Sequence, residues 1–206
     1  MAREYATAQY GNWVSSRLIA MPALCGMLLV LVLAIGATAV LVFVTVLALA
    51  TLFIAASLYF AYARFRFSRR GGDIQGQILK LILDRLDWNG DGRALDIGCG
   101  NGRLAIAMAQ MFPHARVVGV DTWGGGWGYA KAACERNAAI EGVAGRISFE
   151  AASAAHLPFA DDSFDLVVSN LTFHEVRGAP DKRALMREAL RVLRPSGQFV
   201  FQDLSG

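Results

Sequence analysis

The sequence predicts a doubly wound α/β domain carried behind a pair of apolar membrane spans. Three observations predict it. No residue from Leu18 to Ala63 is charged. From Arg93 onward β and α patterns alternate, which implies a mainly parallel sheet with helices on its faces. Two of the strand-like segments, Val117–Val120 and Leu166–Val168, are unbroken apolar runs, as parallel strands covered on both sides should be.

The uncharged run is about 65–70 Å long as a single helix, roughly twice the hydrocarbon core of a bilayer. Two spans of about 18–35 and 39–62 are therefore expected, with Gly36-Ala37-Thr38 as the turn. Arg3 and Arg17 precede the first span, and Arg64, Arg66, Arg69 and Arg70 follow the second. The positive-inside bias then places the N-terminus and the following domain on the cytoplasmic side of an integral membrane hairpin. A cleaved signal has an apolar core of only about 7–15 residues, far shorter than this run. The expected organisation is an anchor over residues 1–70 and a globular domain over 71–206.

Within the second part, Ile74, Ile78, Leu81, Ile82 and Leu86 recur at helical spacing. Asn89-Gly90-Asp91-Gly92 is a turn. There follow a strand over Arg93–Ile97, a helix over Arg103–Met111 and a strand over Arg116–Val120. A helix over Trp127–Glu141, a strand over Arg146–Glu150 and a strand over Phe164–Ser169 come next. A helix over Asp181–Leu193 and a strand over Gly197–Gln202 complete the series.

The chain has 206 residues and a net charge of +3. Residues 1–70 hold six Arg and one Glu, whereas residues 71–206 hold 14 basic and 16 acidic side chains. The basic excess belongs to the flanks of the apolar run, so the globular part lacks the footprint of a nucleic-acid binder. Cys25, Cys99 and Cys134 have neither CxxC nor metal-ligand spacing, so free thiols and no metal are expected.

The chemistry concentrates in Ala94-Leu-Asp-Ile-Gly-Cys-Gly-Asn-Gly102. A strand ends, glycines turn the chain and a helix begins, which lets backbone approach a ligand closely. In the dinucleotide fingerprint a third glycine falls three places after the second, and here that place is Arg103. A Walker loop is excluded too, since no Gly-Lys-Ser/Thr follows. Asp96 beside the turn would repel a pyrophosphate but favour a ligand bearing an ammonium and a sulfonium. Asp121, at the end of Val117-Val-Gly-Val-Asp121, stands where an acid accepts hydrogen bonds from ribose hydroxyls.

With these motifs the stretch Leu95–Asp203 resembles the class I S-adenosylmethionine-dependent methyltransferases, a Rossmann-like family, and in particular those acting on small molecules, lipids and quinones. Four segments in order carry the resemblance: Leu95–Gly102, Gly119-Val-Asp121, Leu157-Pro-Phe-Ala-Asp-Asp-Ser-Phe-Asp165 leading into Leu166–Asn170, and Glu188-Ala-Leu-Arg-Val-Leu-Arg-Pro-Ser-Gly197. The resemblance implies that Asp96, Gly98, Cys99, Gly100 and Gly102 line the methionine and ribose portion of the cofactor. It implies further that Asp121 binds the ribose, that Thr122 and Trp123 lie against the adenine, and that Asn170 faces the methyl group and its acceptor. Ser153 falls where the family often has an acid for the adenine amino group, and serine brings no charge there; the resemblance implies adenine contact at Ser153 and Ala154. Trp123-Gly-Gly-Gly-Trp127 is either a flap over the cofactor or a loop whose tryptophans cover the core.

Methyl transfer from a sulfonium is an in-line displacement that needs a base only where the acceptor must lose a proton. His174 and Glu175 are the best-placed candidates. The resemblance implies two further strands beyond the last one read, and the 206 residues do not supply them. The expected function is a membrane-anchored methyltransferase for a small-molecule or lipid-like acceptor. A cofactor-binding module without turnover and a nicotinamide oxidoreductase are the alternatives.

Overall fold

The computed structural model describes residues 7–36, 39–124, 130–176 and 181–204. The chain forms two compact units, one over residues 12–77 and the other comprising the first eleven residues together with the chain from Ile78 onward. The division thus falls after Gln77, seven residues beyond the Arg70/Gly71 boundary read from the composition shift.

The unit over residues 12–77 is built on two helices, α1 (Arg17–Gly36) and α2 (Val40–Phe67). Ser57 Oγ donates to the Ile19 carbonyl at 2.9 Å. Gly26 packs so closely on the second helix that a Cβ there would lie 3.0 Å from Ile54 Cγ1, the small-residue contact by which apolar helices associate. α2 runs five residues past the expected Tyr62. Arg64 and Arg66 are good helix formers and sit in the last turn, where positive charge complements the helix end. The expected turn residues Ala37 and Thr38 lie outside the described residues.

The other unit is a five-stranded sheet of β1 (Arg93–Ile97), β2 (Arg116–Asp121), β3 (Ile147–Ala151), β4 (Phe164–Asn170) and β5 (Leu193–Gln202). The order is β3-β2-β1-β4-β5 and every pairing is parallel. α3 (Ile74–Leu83) precedes β1, and α4 (Arg103–Met111), α5 (Lys131–Ile140) and α6 (Lys182–Val192) follow β1, β2 and β4. Adjacent strand residues point to opposite faces, and two cores result. Ala94, Val117, Leu166 and Val168 pack with residues of α3, α4 and α5. Leu95, Ile97, Val118 and Val167 pack with Leu185, Ala189 and Val192 of α6 and with Ala154, Leu157 and Phe173.

Most elements lie within two residues of where the periodicity places them. α3 stops three residues short of Leu86, where single-turn bonds from Arg85 and Leu86 close it. β5 starts at Leu193 and not at Gly197, because Leu193 pairs with Phe164 ahead of a register irregularity, after which Gln198 pairs with Leu166. The first residues of the expected Trp127–Glu141 helix lie outside the described segment. Because β1 lies between β2 and β4, the chain winds outward to β3 and then returns to the other side. That reversal opens a crevice at the carboxyl ends of the central strands, the place where open α/β sheets bind ligands.

Candidate functional site

At this crevice the Gly98–Gly102 turn is shaped by three left-handed glycines, with φ of 78° at Gly98, 56° at Gly100 and 78° at Gly102. A Cβ at Gly98 would run into the Thr172 side chain, so the position demands glycine by both conformation and space. The turn is bound down on all sides. The Gly98 and Cys99 amides donate to the Val120 carbonyl at 2.8 and 3.0 Å, and the Gly102 amide donates to the Cys99 carbonyl at 2.7 Å. The Gly100 amide donates to Asp121 Oδ2 at 2.9 Å. The Gly100 carbonyl accepts from Trp123 Nε1 at 2.9 Å and from Cys134 Sγ at 3.1 Å. Gly119 carries no Cβ because one would stand 2.8 Å from the Phe149 ring and 3.0 Å from Cys99 Sγ.

Asp96 lies fully buried beneath the turn, and its Oδ2 accepts from the Ala105 amide at 3.0 Å. α4 has Gly102 as its N-cap and no capping side chain of its own; Asp96 supplies that bond from the strand. Burial pushes the Asp96 carboxyl up to about 7; the Ala105 bond opposes this, and the nearby Asp121 charge adds to it. Asp121, partly exposed at the end of β2, also accepts from the Trp123 amide through Oδ1 at 2.9 Å. Each of its oxygens keeps a second lone pair for a hydroxyl donor. Cys99 and Cys134 are buried free thiols, and burial, then the hydrogen bond that the neutral Cys99 thiol makes to Cys134, drives the Cys99 thiol well up.

Thr122 is exposed beside Asp121. Trp123 takes a left-handed conformation with φ 47°, and its indole folds back on Gly100 and the core. Trp127 lies outside the described residues. Ser153 and Ala154 form a tight turn beyond β3, in which Ser153 Oγ accepts from the Ala155 amide and the Ser153 carbonyl accepts from the His156 amide. Asn170 ends β4, and its Oδ1 is buried without a partner among the described residues, as is Asn101 Oδ1 in the glycine turn. Two carboxylates and two orphaned amide oxygens at one crevice suit a ligand rich in donors and positive charge.

His174 lies in a short turn, Phe173–Glu175, that follows β4 and reaches Gly98 through Thr172, whose Oγ1 donates to the Gly98 carbonyl at 3.4 Å. Its Nδ1 bonds Asp203 Oδ1, and its amide donates to Asp203 Oδ2 at 2.9 Å. Glu175 Oε1 stands 3.7 Å from Nε2. Asp203 was not a sequence candidate; it lies 29 residues away and joins His174 only because β4 and β5 pair in parallel. The two later motifs are also joined. Glu188 Oε1 accepts from the Leu157 amide at 2.7 Å, while Arg191 donates to the carbonyls of Leu157 and Phe159 and to Asp161 and Glu188. The Arg191 hydrogen bond is the main reason that the Glu188 carboxyl is held below its ordinary range.

The parallel sheet, the glycine turn and the acid at the end of β2 define a class I methyltransferase fold. A family model described as a methyltransferase domain matches residues 95–201, and the chain belongs to that family, whose cofactor is S-adenosylmethionine. The chain is similar to the methyltransferase GfsG of Streptomyces halstedii, with 36% identity over 60% of this chain and 41% of that protein. It is similar to the ubiquinone/menaquinone biosynthesis C-methyltransferase UbiE of Geobacter sulfurreducens, with 36% identity over 65% of this chain and 53% of that protein. Among solved structures it is similar to the YcgJ protein of Bacillus subtilis, at 30% identity and a TM-score of 0.53, covering 62% of this chain and 50% of that one. The chain spans about half the length of the curated relatives it matches.

Proposed function

We propose that this chain is a membrane-anchored methyltransferase that moves the methyl group of S-adenosylmethionine to a small, lipid-like or quinone-like acceptor. The observation that carries the reading is the crevice itself, where Asp96 and Asp121 bracket a glycine turn and the buried oxygens of Asn101 and Asn170 have no partner among the described residues. Asp121 holds the ribose hydroxyls, with Thr122 and Trp123 beside the adenine and Ser153 and Ala154 at its far edge. Gly98, Cys99, Gly100 and Gly102 let the chain pass close to the methionine portion, and Asn170 faces the reacting end. When bound, the cofactor supplies an electrophilic methyl group on a sulfonium.

His174 is the base for an acceptor that carries a proton. Asp203 binds Nδ1 and so leaves Nε2 as the lone-pair nitrogen. With the cofactor supplying the methyl group, Nε2 of His174 would take up the acceptor's proton. The name of the ubiquinone/menaquinone biosynthesis relative supports a small quinone-like acceptor. Anchoring is supported by α1 and α2, whose most apolar stretches are only 6% and 11% buried. That is unlike the core helix of a soluble protein, and so large an exposed apolar surface calls for a lipid partner. The arginine flanks support a cytoplasmic domain.

The test is incubation of the full chain with methyl-labelled S-adenosylmethionine and membrane lipid extract, followed by mass spectrometry of labelled products. His174→Ala is expected to lower kcat about 10²–10⁴-fold with S-adenosylhomocysteine affinity unchanged, and Asp203→Asn to lower it less. Wild-type chain that labels nothing in any extract would overturn the catalytic reading.

A further inference from the structure

Residues 7–11 belong to the compact unit that holds the sheet. Gln9 meets Asn137, a side chain of α5 with no exposed surface. The contact is reciprocal: the Gln9 amide donates to Asn137 Oδ1 at 2.9 Å, and Asn137 Nδ2 donates to the Gln9 carbonyl at 3.0 Å. The same Nδ2 donates to the carbonyl of Asn101, inside the glycine turn, at 3.2 Å. Asn101 Nδ2 in turn donates to the Tyr10 carbonyl at 3.2 Å. Tyr10 continues the strap along α5, its hydroxyl bonding Glu141 Oε1 at 3.3 Å, and the Arg103 guanidinium lies over its ring at 5.9 Å.

A fully buried asparagine on a helix is costly unless its amide is satisfied. Here both ends of the amide are spent on backbone, one residue of the strap and one of the turn. Glycine at three left-handed positions leaves the turn conformationally permissive, so its shape must be held by outside contacts. Asp121, Trp123 and Cys134 hold its Gly100 end, whereas the Asn101 end is tied through Asn137 to residue 9 and directly to residue 10. Asn101 Oδ1 is also buried without a partner among the described residues.

We infer that residues 7–10 form a strap that sets the glycine turn in its cofactor-binding shape, with Asn137 as the positioning residue. Because Gly11 runs on into Asn12 and α1, cofactor affinity depends on the segment that leads into the apolar helices, and by linkage cofactor binding steadies that segment. The inference rests on the cofactor reading above.

The strap uses backbone groups at residue 9, which separates two substitutions at one position. Gln9→Pro removes the amide donor, while Gln9→Ala keeps it and loses only side-chain bonds to Thr7. With full-length protein in detergent micelles, titration calorimetry against S-adenosylhomocysteine is expected to show about tenfold weaker binding for Gln9→Pro and for Asn137→Ala. Gln9→Ala should match wild type. KM for S-adenosylmethionine should rise with kcat unchanged, and the ligand-free melting temperature of Gln9→Pro should stay within a degree or so of wild type. If wild type binds and Gln9→Pro binds equally well, the strap has no such role and the cofactor reading stands. If Gln9→Ala weakens binding as much as Gln9→Pro, the side chain and not the clasp is responsible, and the inference fails. Wild type that binds no S-adenosylhomocysteine overturns both.

Discussion

Asp96 shows what one side chain can do in two places at once. Seen from the fold it caps α4, and seen from the crevice it is a carboxyl held near neutrality by burial. Its folded-state value, about 7, lies above the ordinary 3.8, so the folded chain keeps a proton that the unfolded chain has released. Stability is then fully present below about 4, declines as pH rises toward 7, and levels off above it. Asp96→Asn is expected to flatten that decline in a pH series of melting temperatures, and parallel profiles for the two proteins would refute it. In the wild type a cationic ligand favours the ionised carboxylate, so the melting shift caused by S-adenosylmethionine should grow from pH 5 to pH 8. Local chemistry of this kind is legible in a sequence: Asp96, the glycines and Asp121 sit at spacings that one strand, one turn and the next strand impose. His174 and Asp203, or Gln9 and Asn137, are not legible in the same way, because pairing and docking bring them together across 29 and 128 residues.

Among the elements, α6 and the loop ahead of β4 share a staple. Arg191 reaches the carbonyls of Leu157 and Phe159 and pairs with Glu188 and Asp161, while Glu188 receives the Leu157 amide. The two motifs that mark these segments therefore form one structure, with Leu157 and Phe164 delivered to the core beneath it. Arg191→Ala leaves a half-buried carboxylate and two carbonyls short of donors, and is expected to cost about 1–3 kcal/mol in urea unfolding. The Glu188 carboxyl, lowered in the folded state, contributes stability at neutral pH that is lost as pH falls through its folded value. The variant should accordingly lose part of the wild type's acid sensitivity below about pH 4. Element identity was readable from apolar periodicity alone, since β1, α4, β2 and β4 fall where the pattern places them. The start of β5 is not, because the pairing of Leu193 with Phe164 is a tertiary event.

At the scale of the whole molecule, the composition shift near residue 70 announces two parts but does not show that residues 7–11 fold with the second. A membrane hairpin predicts that the chain stays with the bilayer through alkaline carbonate extraction. It predicts also that protease added to inverted vesicles digests the methyltransferase domain; release by carbonate would exclude two spans. The glycine turn closes the account. In phosphate-binding turns free amides converge on an anion. Here the amides of Gly98, Cys99 and Gly102 are committed to carbonyls and that of Gly100 to a carboxylate. A motif that elsewhere serves as a socket for negative charge has been wired with the opposite polarity, so discrimination against nucleoside phosphates is built into the resting backbone before any ligand arrives.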